Sequence, residues 1–76
     1  MPFIHIRTFS KKDLEIKQQT AQAMIKAASE SMGAPETAFT VVYEEVERDN
    51  WESDVQNAII EPLRDKMVVE NGKLCE

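Results

Sequence analysis

Cysteine, glycine and basic charge are all scarce in this chain. A single cysteine, Cys75, stands next to the C-terminus. No disulfide can form within one chain, and no Cys/His spacing points to a metal site. Two glycines, Gly33 and Gly72, leave no Gly-rich loop to cradle a phosphate. Nine basic side chains against fourteen acidic ones give a formal net charge of −5. A nucleic-acid binder needs a basic face, so neither nucleic acid nor an anionic membrane is an expected partner. No apolar run approaches the roughly 20 residues of a membrane span. A basic stretch followed by an apolar one is also missing at the start, so secretion is not indicated and a cytoplasmic protein is the expectation.

What is present is short: 76 residues, read as one domain, 1–76, without repeats or a linker. A domain of this size buries a modest fraction of its surface and is marginal alone. With neither disulfide nor metal to brace it, oligomerisation is the expected source of extra core.

The segment Pro2-Phe3-Ile4-His5-Ile6-Arg7 alternates with period two, which predicts a strand starting at the second residue. Proline is tolerated there because a strand's first residue need not donate to the ladder. Ser10 to Asp13 resembles a weak capping box, with Asp13 as the alternative N-cap. Leu14, Ala21, Met24, Ile25, Ala28 and Met32 form one apolar stripe, predicting a helix from about Asp13 to Met32. Lys17, Gln18, Gln22, Lys26 and Glu30 cover much of the rest. Gly33 suits the left-handed residue after a helix, and Pro35 prevents continuation. Ala38 to Val46 is β-branched and aromatic, a second strand. Beyond the polar break Arg48-Asp49-Asn50, Val55, Ala58, Ile59, Leu63 and Met67 keep helical spacing. Pro62 should split that segment, because an interior proline loses a hydrogen bond and clashes one turn back. Asn71-Gly72 marks a turn, followed by a short strand or a loose tail.

The fold class is therefore α+β: a β-α-β subunit with two parallel strands, a crossover helix and a short helical C-terminal segment. Two strands alone leave exposed edges, a liability that a soluble protein must cover. A two-fold dimer that extends the sheet is the expected remedy.

Met1-Pro2 followed by a hydrophobic strand, Lys11-Lys12-Asp13 before the helix, Gly33-Ala34-Pro35-Glu36-Thr37 at the helix-to-strand turn, and Trp51 occur in an order that resembles the 4-oxalocrotonate tautomerase superfamily. The resemblance runs without a gap from Pro2 to Trp51. Beyond Trp51 the chain departs from the short, hexamer-forming members, which end in a Gly-rich hairpin. Its helical tail with an internal proline is closer to a dimeric bacterial subgroup, so a dimer is favoured over a hexamer.

The resemblance implies an enzyme, an isomerase without cofactor or metal. Removal of Met1, usual before a small residue, would leave Pro2 with a secondary amine able to act as general base and acid. Lys12, with Lys11, would bind a substrate carboxylate or polarise a carbonyl, though as a point charge and not the fork of the family's more usual arginine. Thr40 stands where well-studied members carry an arginine that reaches substrate in a neighbouring subunit. An uncharged donor there disfavours a dicarboxylate and favours a monocarboxylate enol such as that of an aryl pyruvate. Trp51 would supply an apolar wall. Arg7, Arg48 and Arg64 are read as surface charge, and His5 as a packed or interface residue. Phe39 and Tyr43 read as core or interface.

The implied reaction converts 2-hydroxy-dienoate or enolpyruvate-type acids to keto acids. Two other readings stay open on the sequence. A protonated Pro2 could serve a hydratase or dehalogenase of an unsaturated acid, which needs water-activating carboxylates, and Glu44 and Glu45 are only nominal candidates. A non-catalytic dimeric binding module is the other.

Overall fold

The computed structural model describes residues 1–9 and 11–75, arranged as two compact units, Met1–Glu45 and Val46–Glu76. Ser10, and with it the possible capping box, lies outside the described residues.

In the first unit the expected β-α-β order holds. Strand β1 (Phe3–Thr8) leads to helix α1 (Leu14–Met32), a 3₁₀ turn (Glu36–Ala38) and strand β2 (Thr40–Glu45). The strands pair in parallel, with Phe3 opposite Thr40, Ile6 opposite Tyr43 and Thr8 opposite Glu45. Opposite residues of a parallel pair share a face, and faces alternate along the strand. Ile4, Ile6, Val41 and Tyr43 therefore lie on one side, all half-buried. That side takes α1, because the Lys17 ammonium sits 5.7 Å from the centre of the Tyr43 ring.

Helix α1 begins at Asp13, whose carboxylate accepts the Ile16 N–H at 3.0 Å. It ends where the Gly33 N–H donates to the Ser29 carbonyl and Gly33 turns left-handed at φ 73°, a conformation without steric cost for glycine. The apolar stripe is covered only over its middle: Ala21, Met24, Ile25 and Ala28 are half-buried, while Leu14 and Met32 are exposed. Length accounts for this. Nineteen helical residues rise about 28 Å, whereas six strand residues extend about 17 Å over five steps, so the helix overhangs the sheet.

The second unit starts with a 3₁₀ turn (Arg48–Asn50), where a plain polar break was expected. The segment predicted as ordinary helix is wound more widely. Residues Glu52–Ile60 form π-helical turns, closed by the Glu61 N–H donating to the Gln56 carbonyl. The break expected at Pro62 is present, because a tighter 3₁₀ segment (Glu61–Lys66) takes over with the proline in its first turn. A missing N–H is harmless there, since first-turn amides have no partner within the helix. Strands β3 (Val69–Glu70) and β4 (Lys73–Leu74) then pair antiparallel around Asn71 and Gly72. Both turn residues have positive φ, 51° and 81°, as a two-residue hairpin requires. Val55, 5% exposed, is the one buried apolar residue among those described. No helix among them is long and apolar enough to cross a membrane.

Candidate active site

Strand β1 separates the residues that the sequence grouped together. At its start, Pro2 is half-buried and its carbonyl accepts the Thr40 N–H at 3.2 Å. Proline has no N–H to give, so the ladder opens through its carbonyl. Met1 is fully exposed, so its side chain contributes no packing. Pro2 and Thr40 thus lie together where β1 and β2 begin.

Lys11 and Lys12 follow the other end of β1, and both are exposed. The Lys12 N–H donates to Glu45 Oε2 at 2.8 Å, and Glu45 is the β2 residue opposite Thr8. The length of β1, about 17 Å, therefore stands between Pro2 and Lys12 within one chain. A lysine's four-carbon stem is shorter than half that distance. Trp51 belongs to the second unit, where it is half-buried and its N–H donates to the Arg48 carbonyl at the close of the 3₁₀ turn.

The sheet face turned away from α1 carries Phe3, His5 and Arg7 beside Thr40, Val42 and Glu44. The His5 imidazole Nε2 hydrogen-bonds the Glu44 carboxylate, and Arg7 Nε lies 3.6 Å from the same oxygen. Arg64 is similarly engaged, pairing with Glu61 at 2.9 Å and with Glu70 at 3.2 Å. The Arg64 guanidinium and the Gln56 amide together hold the Glu61 carboxyl down at about 2. These pairs are solvent-exposed and screened. Arg7 and Arg64 are thus already matched by carboxylates, in keeping with their reading as surface charge.

Two residues hold places that sequence reasoning did not foresee. Glu45 accepts from Lys12 and, through its other oxygen, from Lys17 Nζ at 2.9 Å. The Lys17 hydrogen bond, then the Lys12 amide, lower the Glu45 carboxyl below its ordinary value. Lys17, read as lying outside the apolar stripe of the helix, covers Tyr43 and bridges to β2. Strand alternation was the available signal: it turns Glu45 to the same side as Tyr43, toward the helix, and a carboxylate there calls for a cation.

Among known families, the tautomerase enzyme family matches residues 2–56. That stretch takes in Pro2, Lys11, Lys12, Thr40 and Trp51. No curated protein matches the chain. Since the match covers most of the sequence and contains both parallel strands and the helix that joins them, the protein belongs to the tautomerase enzyme family.

Proposed function

We propose that the protein is a cofactor-independent keto–enol isomerase for monocarboxylate enol acids, with Pro2 as its base after loss of Met1. The observation that carries this reading is the placing of Pro2 at the head of a β-α-β unit within the family match. Met1 is fully exposed, so its removal disturbs no packed side chain. The freed nitrogen is a secondary amine. An ordinary α-amino group titrates near about 8, and apolar cover or nearby cations lower that value. A base poised near neutrality takes the enol hydroxyl proton and returns it to the adjacent carbon, so that the reaction is a net shift of one proton.

Lys12, with Lys11, supplies the positive charge for the substrate carboxylate. Thr40, beside Pro2, offers a hydroxyl where a second cation would be needed for a dicarboxylate. Trp51 provides the apolar wall. The distance along β1 makes a composite site, with Pro2 of one subunit and Lys12 of another, the arrangement that lets both touch one small substrate. A homodimer of the bacterial subgroup type supplies it. Exposed Phe3, Leu14 and Met32 are apolar surface for such an interface. The isomerase reading is preferred to hydration because Glu44 and Glu45 are each already engaged by cations.

The test is ketonisation of an aryl enolpyruvate followed by ultraviolet absorbance, for the mature chain and for Pro2→Ala. Loss of a positioned base should slow the reaction about 10²-fold or more. Intact mass reports whether Met1 is gone. A mature chain that ketonises this substrate no faster than buffer, or a Pro2→Ala chain that is as fast as the native one, would end the reading.

A further inference from the structure

The segment that carries Lys11 and Lys12 is tied down by one carboxylate. Glu45 closes β2 opposite Thr8, and its two oxygens have separate tasks. Oε2 accepts the Lys12 backbone N–H at 2.8 Å, and Oε1 accepts Lys17 Nζ at 2.9 Å. The Lys17 and Glu45 side chains are only 26% and 27% exposed, so the pair is less open to solvent than an ordinary surface bridge. Lys17 is further held over the Tyr43 ring. On the far side of Lys12, Asp13 anchors the chain by capping α1. Lys12 is therefore held on both sides, at its own amide and at the next residue.

An unneutralised carboxylate at this place would repel an anionic ligand. The cation bonded to it is Lys17, Lys11 adds a weaker charge attraction, and Lys12 contributes its amide. The exposed Lys12 side chain takes no part in either of these bonds.

We propose that Glu45 is a positioning residue for the anion subsite at Lys12: it fixes the Lys12 backbone, while Lys17 cancels its charge so that the subsite stays net positive. This inference rests on the tautomerase reading above and on Lys12 holding the substrate carboxylate. Glu45 does not touch substrate. It acts through Lys12, on binding that is equal in ground and transition states, so its loss should move KM and leave kcat nearly alone.

The experiment is steady-state ketonisation of an aryl enolpyruvate by the mature full-length chain, with folding of each variant checked by circular dichroism. Glu45→Ala should raise KM about tenfold, the scale of one lost charge-assisted hydrogen bond, with kcat little changed. Glu45→Gln keeps an acceptor for the Lys12 amide and should recover much of the loss. Combined with Lys12→Ala, Glu45→Ala should add nothing to the KM of Lys12→Ala alone, because both changes act on one contact. Lys17→Met leaves the amide clamp and exposes the carboxylate's charge. It should raise KM several-fold in a way that added salt diminishes, and it tests the proposal even if Glu45→Ala does not fold. Additive effects of Glu45→Ala and Lys12→Ala, or an unchanged KM in Lys17→Met, overturn the proposal while Lys12→Ala still raises KM. If Lys12→Ala and Pro2→Ala both behave as the native chain does, the tautomerase reading itself has failed.

Discussion

Mixing two impaired variants, assayed at substrate well below KM, tests whether Pro2 and Lys12 meet across a subunit boundary. Pro2 stands before β1, and the Lys12 backbone is fixed beside Glu45 at the opposite end of that strand. About 17 Å of strand intervenes, beyond the reach of one lysine side chain. If both residues serve one substrate, they must come from different copies. Pro2→Ala and Lys12→Ala subunits, each weak alone, should then rescue one another when unfolded together and refolded. In an equal mixture, half the sites draw a native Pro2 and, independently, half draw a native Lys12. About a quarter of native activity should return, for a two-fold dimer or any larger closed ring with the same contact. Ketonisation of an aryl enolpyruvate measures the recovery, and size-exclusion chromatography with light scattering counts the subunits. A mixture no more active than the average of its parents would refute the shared site.

Two further outcomes concern stability. Gly33→Ala forces a side chain into φ 73° with no other atom within 4 Å of the new Cβ, so the penalty is backbone strain alone, about 1 kcal/mol. Urea unfolding should show that loss, and no shift in midpoint would contradict the left-handed cap. Glu61 has its carboxyl lowered from 4.5 to about 2 by Arg64 and Gln56. A depressed folded value means that the stabilisation is complete above about 4.5 and disappears as pH falls toward 2. Native protein should therefore lose stability faster than Glu61→Gln over that window, less so in high salt, and parallel acid titrations would count against the pairing with Arg64.

The local elements were readable because each depends on neighbours in sequence. Alternation from Phe3 to Arg7 marked β1, Gly33 and Pro35 stopped α1, and Asn71-Gly72 made its hairpin because both residues tolerate positive φ. Pro62 marked the change of winding for the same kind of reason. The wide turns of Glu52–Ile60 were not readable: over nine residues, apolar spacing does not separate an i−4 from an i−5 hydrogen-bond pattern. The covered part of the α1 stripe was also hidden, because it depends on how far the short sheet extends beneath the helix.

For the site, the family resemblance singled out Pro2, Lys11, Lys12, Thr40 and Trp51, and the first strand's alternation put Pro2 at its head. Parallel pairing was already implied by a helix long enough to cross over. Register was not. Only the folded chain sets Thr8 against Glu45, and so brings a carboxylate from 33 residues away onto the Lys12 amide. The same register joins Pro2 to Thr40 and parts both from Lys12. Sequence determined which elements form, because propensity, periodicity and turn geometry act over a few residues, and it named the side chains proposed for the chemistry. Tertiary structure decided which of those side chains share a place, because a strand pair fixes contacts between residues that the chain itself keeps far apart.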